Sequence, residues 1–124
     1  MNVLYRGAAE EFAHKVVSAL GDAVHCIVLF GSVARKEARS TSDTDVLVIG
    51  ADARSEEIVF DAAYGVMENS GFDSFITTVY FTHKEFQRLV RMRTSFISNV
   101  LEEGSILYDD GTFVEARKRL LSGG

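Results

Sequence analysis

An α/β (α+β) fold, a small mixed β-sheet with helices packed against it, is predicted by three features of this chain. Strand-length apolar runs alternate with amphipathic stripes in the order α-β-α-β-α-β-α-α-β-α, which calls for helices laid on a sheet. The 124 residues, 47% hydrophobic and 25% charged, are enough for one core and too few for two. Proline is absent, and no internal repeat or low-complexity linker interrupts the chain, so residues 1–124 read as a single domain.

Residues 8–20 carry apolar side chains at 9, 12, 13, 16, 17 and 20, the stripe of an amphipathic helix, which Gly21 closes. Cys26-Ile-Val-Leu-Phe30 gives a strand over about 25–30, and Val46-Leu-Val-Ile49 a second over about 44–49. Ser55 is placed to cap a long helix with Glu57 in its first turns and Ile58, Val59, Ala62, Ala63, Val66 and Met67 on its apolar side, ending near Gly71. Phe75 to Thr82 is rich in β-branched and aromatic residues and predicts a third strand. Thr82-His-Lys-Glu85 has the pattern of a capping box opening the next helix. Thr94 and Ser95 interrupt that helix and cap another, which Gly104 ends. Ile106-Leu-Tyr108 predicts a short edge strand, and residues from Gly111 to Leu121 a terminal helix.

No apolar run approaches the roughly 20 residues of a membrane span, and the first residues do not read as a secretory signal, so a cytoplasmic location is expected. The lone Cys26 sits in an apolar strand and reads as a core residue. His14, His25 and His83 fall in separate elements, without zinc-ligand spacing and without an expected cluster. A net charge of −5 speaks against broad nucleic-acid binding, which needs a basic surface. Lys84, Arg88 and Arg91, with Arg93 just beyond, share one helix face. That face is either solvated or a dock for an acidic partner or polyphosphate. Tyr5, Tyr64, Tyr80 and Tyr108 have no motif around them and are read as packing residues.

The chemistry concentrates between Gly31 and Asp45. Asp43 and Asp45 begin the second strand one residue apart, so they share a face with Cα atoms about 6.6 Å apart. Two carboxylates so spaced can hold a pair of hard cations such as Mg²⁺ or Mn²⁺. Gly31 and Ser32 follow the first strand and open a helical segment whose first N–H groups can meet an anion. Glycine lets a phosphate approach the backbone, Ser32 adds a hydroxyl, and Arg35 lies one helical turn beyond it as a fork-shaped donor. Phosphatases of the aspartyl-phosphate type also carry Asp-x-Asp, but at the C-terminal end of a strand. Here the pair precedes it. Neither the dinucleotide-binding glycine pattern nor a Gly-Lys-Ser/Thr loop is present.

Gly31-Ser32, ten residues, Asp43-Thr44-Asp45, with Ala34-Arg35 and Ser42 in place, resembles the signature of minimal nucleotidyltransferases of the DNA polymerase β-like superfamily. Lys36 stands where glycine often follows Ala-Arg in that family. The resemblance extends over about residues 8–108, including the Glu102-Glu-Gly104-Ser-Ile-Leu-Tyr108 ending, and is specific at 31–45.

The resemblance implies metal-dependent transfer of AMP from ATP to a protein or small-molecule acceptor. Asp43 and Asp45 would be the catalytic metal ligands, and Gly31, Ser32, Arg35 and Ser42 the nucleotide-binding residues. It further implies a HEPN-domain partner, as in toxin–antitoxin pairs in which this kind of domain is the antitoxin; self-association stays open. Active members commonly carry a third carboxylate on the third strand, and the matching position falls near Thr77. Asp73 has the same strand parity but lies about 13 Å earlier by strand rise, and becomes the third metal ligand only through a bulge or a different register. The alternative is a catalytically degenerate relative that binds a nucleotide or a partner.

Overall fold

The computed structural model describes residues 3–31 and 44–122. Its elements are α1 (Val3–Leu20), a 3-10 turn (Gly21–Ala23), β1 (Val24–Phe30), β2 (Thr44–Gly50), α2 (Ser55–Asn69), β3 (Ile76–Thr82), α3 (His83–Met92), α4 (Ser95–Glu103), β4 (Ser105–Asp109) and α5 (Thr112–Leu121). The strands form one mixed sheet in the order β3-β2-β1-β4. β1 runs antiparallel to β2 and β4, while β2 and β3 are parallel.

Strand alternation divides the interior into two layers. Ile27, Leu29, Val46 and Val48 point to one face, where Ala9, Phe12 and Val16 of α1 and Val59, Ala63 and Val66 of α2 cover them. Cys26, Val28, Leu47 and Ile49 point to the other, beneath Phe86 and Val90 of α3, Ile97, Val100 and Leu101 of α4, and Phe113 and Ala116 of α5. The two central strands therefore have apolar side chains on both faces, and this is why they read as continuous hydrophobic runs. Burial pushes the Cys26 thiol well above its ordinary range, with Asp109 and Asp110 adding to the effect.

Helix ends explain most of the boundaries. Thr82 and Glu85 form the expected capping box, each side chain accepting the other's backbone N–H. Thr94 caps α4 by accepting from the Ile97 N–H. Ser55 does not cap α2. It is the buried first residue of the helix, and the Asp52 carboxylate accepts its N–H and hydroxyl. α1 begins at Val3, five residues before its predicted start. Asp109 and Asp110 together bind the first N–H groups of α5. Arg117 then ties this helix to the end of α4, donating to the carbonyls of Leu101 and Gly104.

Two readings of single residues are corrected. Tyr64 is 55% exposed, its ring edge-on to Phe72, and so contributes little packing. Tyr80 does more than pack. Its hydroxyl donates to the Asp52 carbonyl, and burial, foremost, raises its pKa. Lys84, Arg88, Arg91 and Arg93 are all exposed, and none forms an ion pair with a described residue.

Candidate functional site

The site is built at one end of the sheet, where β1 finishes and β2 and β3 begin. Phe30 and Asp45 close the β1–β2 ladder, and Asp45 is paired across the parallel ladder with Thr77. Asp45 shares strand parity with Leu47 and Ile49, so its carboxylate lies on the α3–α5 face. Immediately after β1, Gly31 takes a φ of +78°, a conformation that glycine reaches at no steric cost. A Cβ built there would overlap Asp45 Oδ2 and stand 3.2 Å from its Cγ. The carboxylate therefore closes over the bare Cα of Gly31, and the glycine is required twice, for its dihedral and for its missing side chain.

The start of β2 is held by the Thr44 N–H, which donates to the Phe75 carbonyl at 2.8 Å. Thr44 is buried on the α1–α2 face, and among the described residues its hydroxyl has no hydrogen-bond partner, nor has that of Thr78 on the neighbouring strand. On the other side of Gly31, the Phe30 ring meets Phe96 of α4 edge-on at 5.4 Å. A cavity of about 170 Å³ opens there between Gly31, Phe96, Asn99 and Glu103.

The sequence-derived residues are distributed as follows. Gly31 and Asp45 are brought into contact. Ser32, Arg35, Ser42 and Asp43 lie outside the described residues. Asp73 is exposed in the turn between α2 and β3, its N–H on the Ser70 carbonyl, and β3 begins three residues later. The register gives Asp45 Thr77 as its neighbour, so no bulge in β3 brings Asp73 beside Asp45, and the side chain next to this candidate metal ligand is a hydroxyl.

A hard divalent cation fits what is described. Asp45 is a half-buried oxygen donor at a strand end, the ligand type such a cation takes, and its carboxylate occupies the space that a side chain at residue 31 would fill. A mixed sheet with an acid opening the second strand, facing a glycine turn that ends the first, defines a nucleotidyltransferase type of site.

The comparisons with known proteins identify the family. The profile of the family "Polymerase beta, Nucleotidyltransferase" matches residues 14–112. A Methanocaldococcus jannaschii protein, MJ0604, named for protein adenylyltransferase activity, is 31% identical over 111 residues, covering 82% of this chain and 95% of the relative. The chain belongs to the polymerase β-type nucleotidyltransferase family. Solved structures of the same fold include a toxin–antitoxin complex with AMP-PNP, at a TM-score of 0.61 and 20% identity over 92% of this chain and 85% of the other. Another is the Shewanella oneidensis complex of a tri-AMPylated HEPN toxin with its MNT antitoxin, at 0.54 and 20% over 99% and 88%. A nucleotidyltransferase from Sulfolobus solfataricus matches at 0.52 and 22% over 88% and 84%.

The sequence reading missed one grouping. His25 and His83, assigned to separate elements without a cluster, lie with ring centres 4.7 Å apart, and His25 Nδ1 is 2.8 Å from Asp110 Oδ2. Residues so distant along the chain are joined only by the sheet order, for which no local signal exists.

Proposed function

We propose that this chain transfers AMP from ATP to a side chain of a partner protein, using Mg²⁺ or Mn²⁺ held by Asp45 together with Asp43. The observation that carries the reading is the closure of the Asp45 carboxylate over the bare Cα of Gly31. It brings the acid proposed as a metal ligand against the turn that would receive the triphosphate. Gly31, with Ser32 and the N–H groups that follow, would hold the phosphates, and Arg35 and Ser42 would orient them. The cation, when bound, would offset the charge that develops as an acceptor oxygen attacks the α-phosphorus and pyrophosphate departs. Thr77 cannot take a proton from the acceptor, so that proton must pass to an Asp carboxylate or to water.

The acceptor is proposed to be a HEPN-type partner, which makes this chain the antitoxin of a toxin–antitoxin pair. Support comes from the AMPylated HEPN toxin in one complex of the same fold and from the name of the archaeal relative. A second reading rests on Thr77 itself. With a hydroxyl beside Asp45, the site would bind nucleotide and metal while turning over slowly or not at all, and the chain would act by covering its partner.

Incubation with α-labelled ATP, Mg²⁺ or Mn²⁺ and a HEPN-type partner separates the two. Label on the partner, lost in Asp45→Asn, supports transfer. Tight Mg²⁺-ATP binding with no label in any protein supports the binding module, and neither binding nor label refutes both.

A further inference from the structure

At the end of the sheet opposite Asp45, the chain builds a second polar site. His25 is the extra residue of a β-bulge. Val24 faces Gly50 and Cys26 faces Ile49, which leaves His25 without a partner on β2. Bulges re-aim a side chain, and this one sends the imidazole to the α3–α5 face, into an open cavity of about 390 Å³ shared with His83, Gln87, Asp110 and Glu115. Phe30, the partner of Asp45, lies five positions further along β1, about 17 Å away by strand rise.

We propose that His25 and His83 form a binding site for a borderline divalent transition-metal ion such as Zn²⁺ or Ni²⁺. Each ring already has one nitrogen engaged. His25 Nδ1–H donates to Asp110 Oδ2 at 2.8 Å, so the lone pair is on Nε2, the carboxylate–histidine arrangement that accompanies metal-bound imidazoles. His83 Nε2 lies 3.3 Å from the Gln87 amide. A half-turn of that amide presents its oxygen to the Nε2–H and leaves Nδ1 as the second lone pair. The spacing also suits a shared ion. With metal–nitrogen bonds of about 2.0–2.1 Å, two imidazoles meeting at about 90–110° have ring centres about 4.5–5.2 Å apart, and here they are 4.7 Å apart.

No group of three or more His, Cys, Asp and Glu side chains among the described residues is placed to hold an ion by itself. The chain therefore supplies two ligands, and water fills the remaining positions. Arg119 also lines the cavity and disfavours a cation there, while Glu115 and Asp110 oppose it with two carboxylates. A bound ion would join β1 to the start of α3.

The test is calorimetric titration of the full chain with Zn²⁺ or Ni²⁺ in excess Mg²⁺, which occupies the carboxylate site. One ion per chain is expected, with affinity at least ten-fold weaker in His25→Ala and in His83→Ala and unchanged in His14→Ala. Absence of binding by the parent, or binding by both variants as tight as the parent's, overturns the proposal. Should either variant fail to fold, the histidine resonances of the parent decide. Selective broadening of His25 and His83 by substoichiometric Ni²⁺ supports the site, and broadening of His14 alone refutes it.

Discussion

Gly31→Ala tests the union of turn and carboxylate most directly. An alanine at φ +78° bears a backbone strain of about 1–3 kcal/mol. Its methyl would also overlap Asp45 Oδ2 and sit 3.2 Å from Cγ. To restore ordinary contacts of about 3.5 Å the carboxylate has to retreat by roughly 1 Å, and a displacement of that size in a reacting geometry costs about 10²-fold in rate. The variant should therefore lose about 1–3 kcal/mol in urea unfolding, and a larger fraction of the proposed metal-dependent ATP binding and AMP transfer than that stability loss explains. Both are measured on one preparation, with circular dichroism confirming the fold at the assay temperature. A variant as stable as the parent that transfers AMP equally fast would show that Asp45 does not close over residue 31 during function.

Further outcomes follow from other positions. Thr77→Asp places a third carboxylate beside Asp45 and should raise metal-dependent transfer several-fold, whereas Asp73→Asn should leave it unchanged; the reverse pair of kinetic results would reverse the assignment. Thr78→Val removes a buried hydroxyl with no partner among the described residues at nearly constant shape and should stabilise the fold by about 1 kcal/mol in denaturant titration; a net loss would mean that the hydroxyl is satisfied in solution. For Asp110, burial alone would raise the carboxyl pKa, but hydrogen bonds from Thr112 and His25 outweigh it and hold the pKa below the usual carboxylate range. The stabilisation is thus present above the unfolded value of about 3.9 and is lost as pH falls through the lower folded value. The melting temperature of Asp110→Asn should lie below the parent's at pH 5–7, and the gap should narrow as pH falls below about 3.9. A gap independent of pH would remove the charge from the explanation.

What the sequence revealed was local. Gly31, Asp45 and the two apolar runs around them were legible because strand, turn and acid follow one another within fifteen positions, and Thr82 and Glu85 because a capping box is complete in four. Ser55 was misread because a serine before an apolar stripe looks like a cap until the competing acceptor, Asp52, is seen one turn earlier. The choice between Thr77 and Asp73 could not be made from the chain, since a parallel register depends on where the α2 crossover delivers β3. The His25 bulge was hidden for a related reason: the extra residue is defined only against its partner strand.

The sheet order also bears on how this chain is made. β1 lies between β2 and β4, and Cys26 pairs with Asp109, closing a loop of about eighty residues whose entropy must be met late. While the ribosome is still adding residues beyond β2, one edge of β1 has no strand beside it, and Val28 and Leu47 have no α5 to complete their cover. A nascent chain in that state presents an open strand edge and a half-covered apolar face to its neighbours. Docking of β4 and α5 onto β1 is then the step that ends this exposure to aggregation and to chaperones.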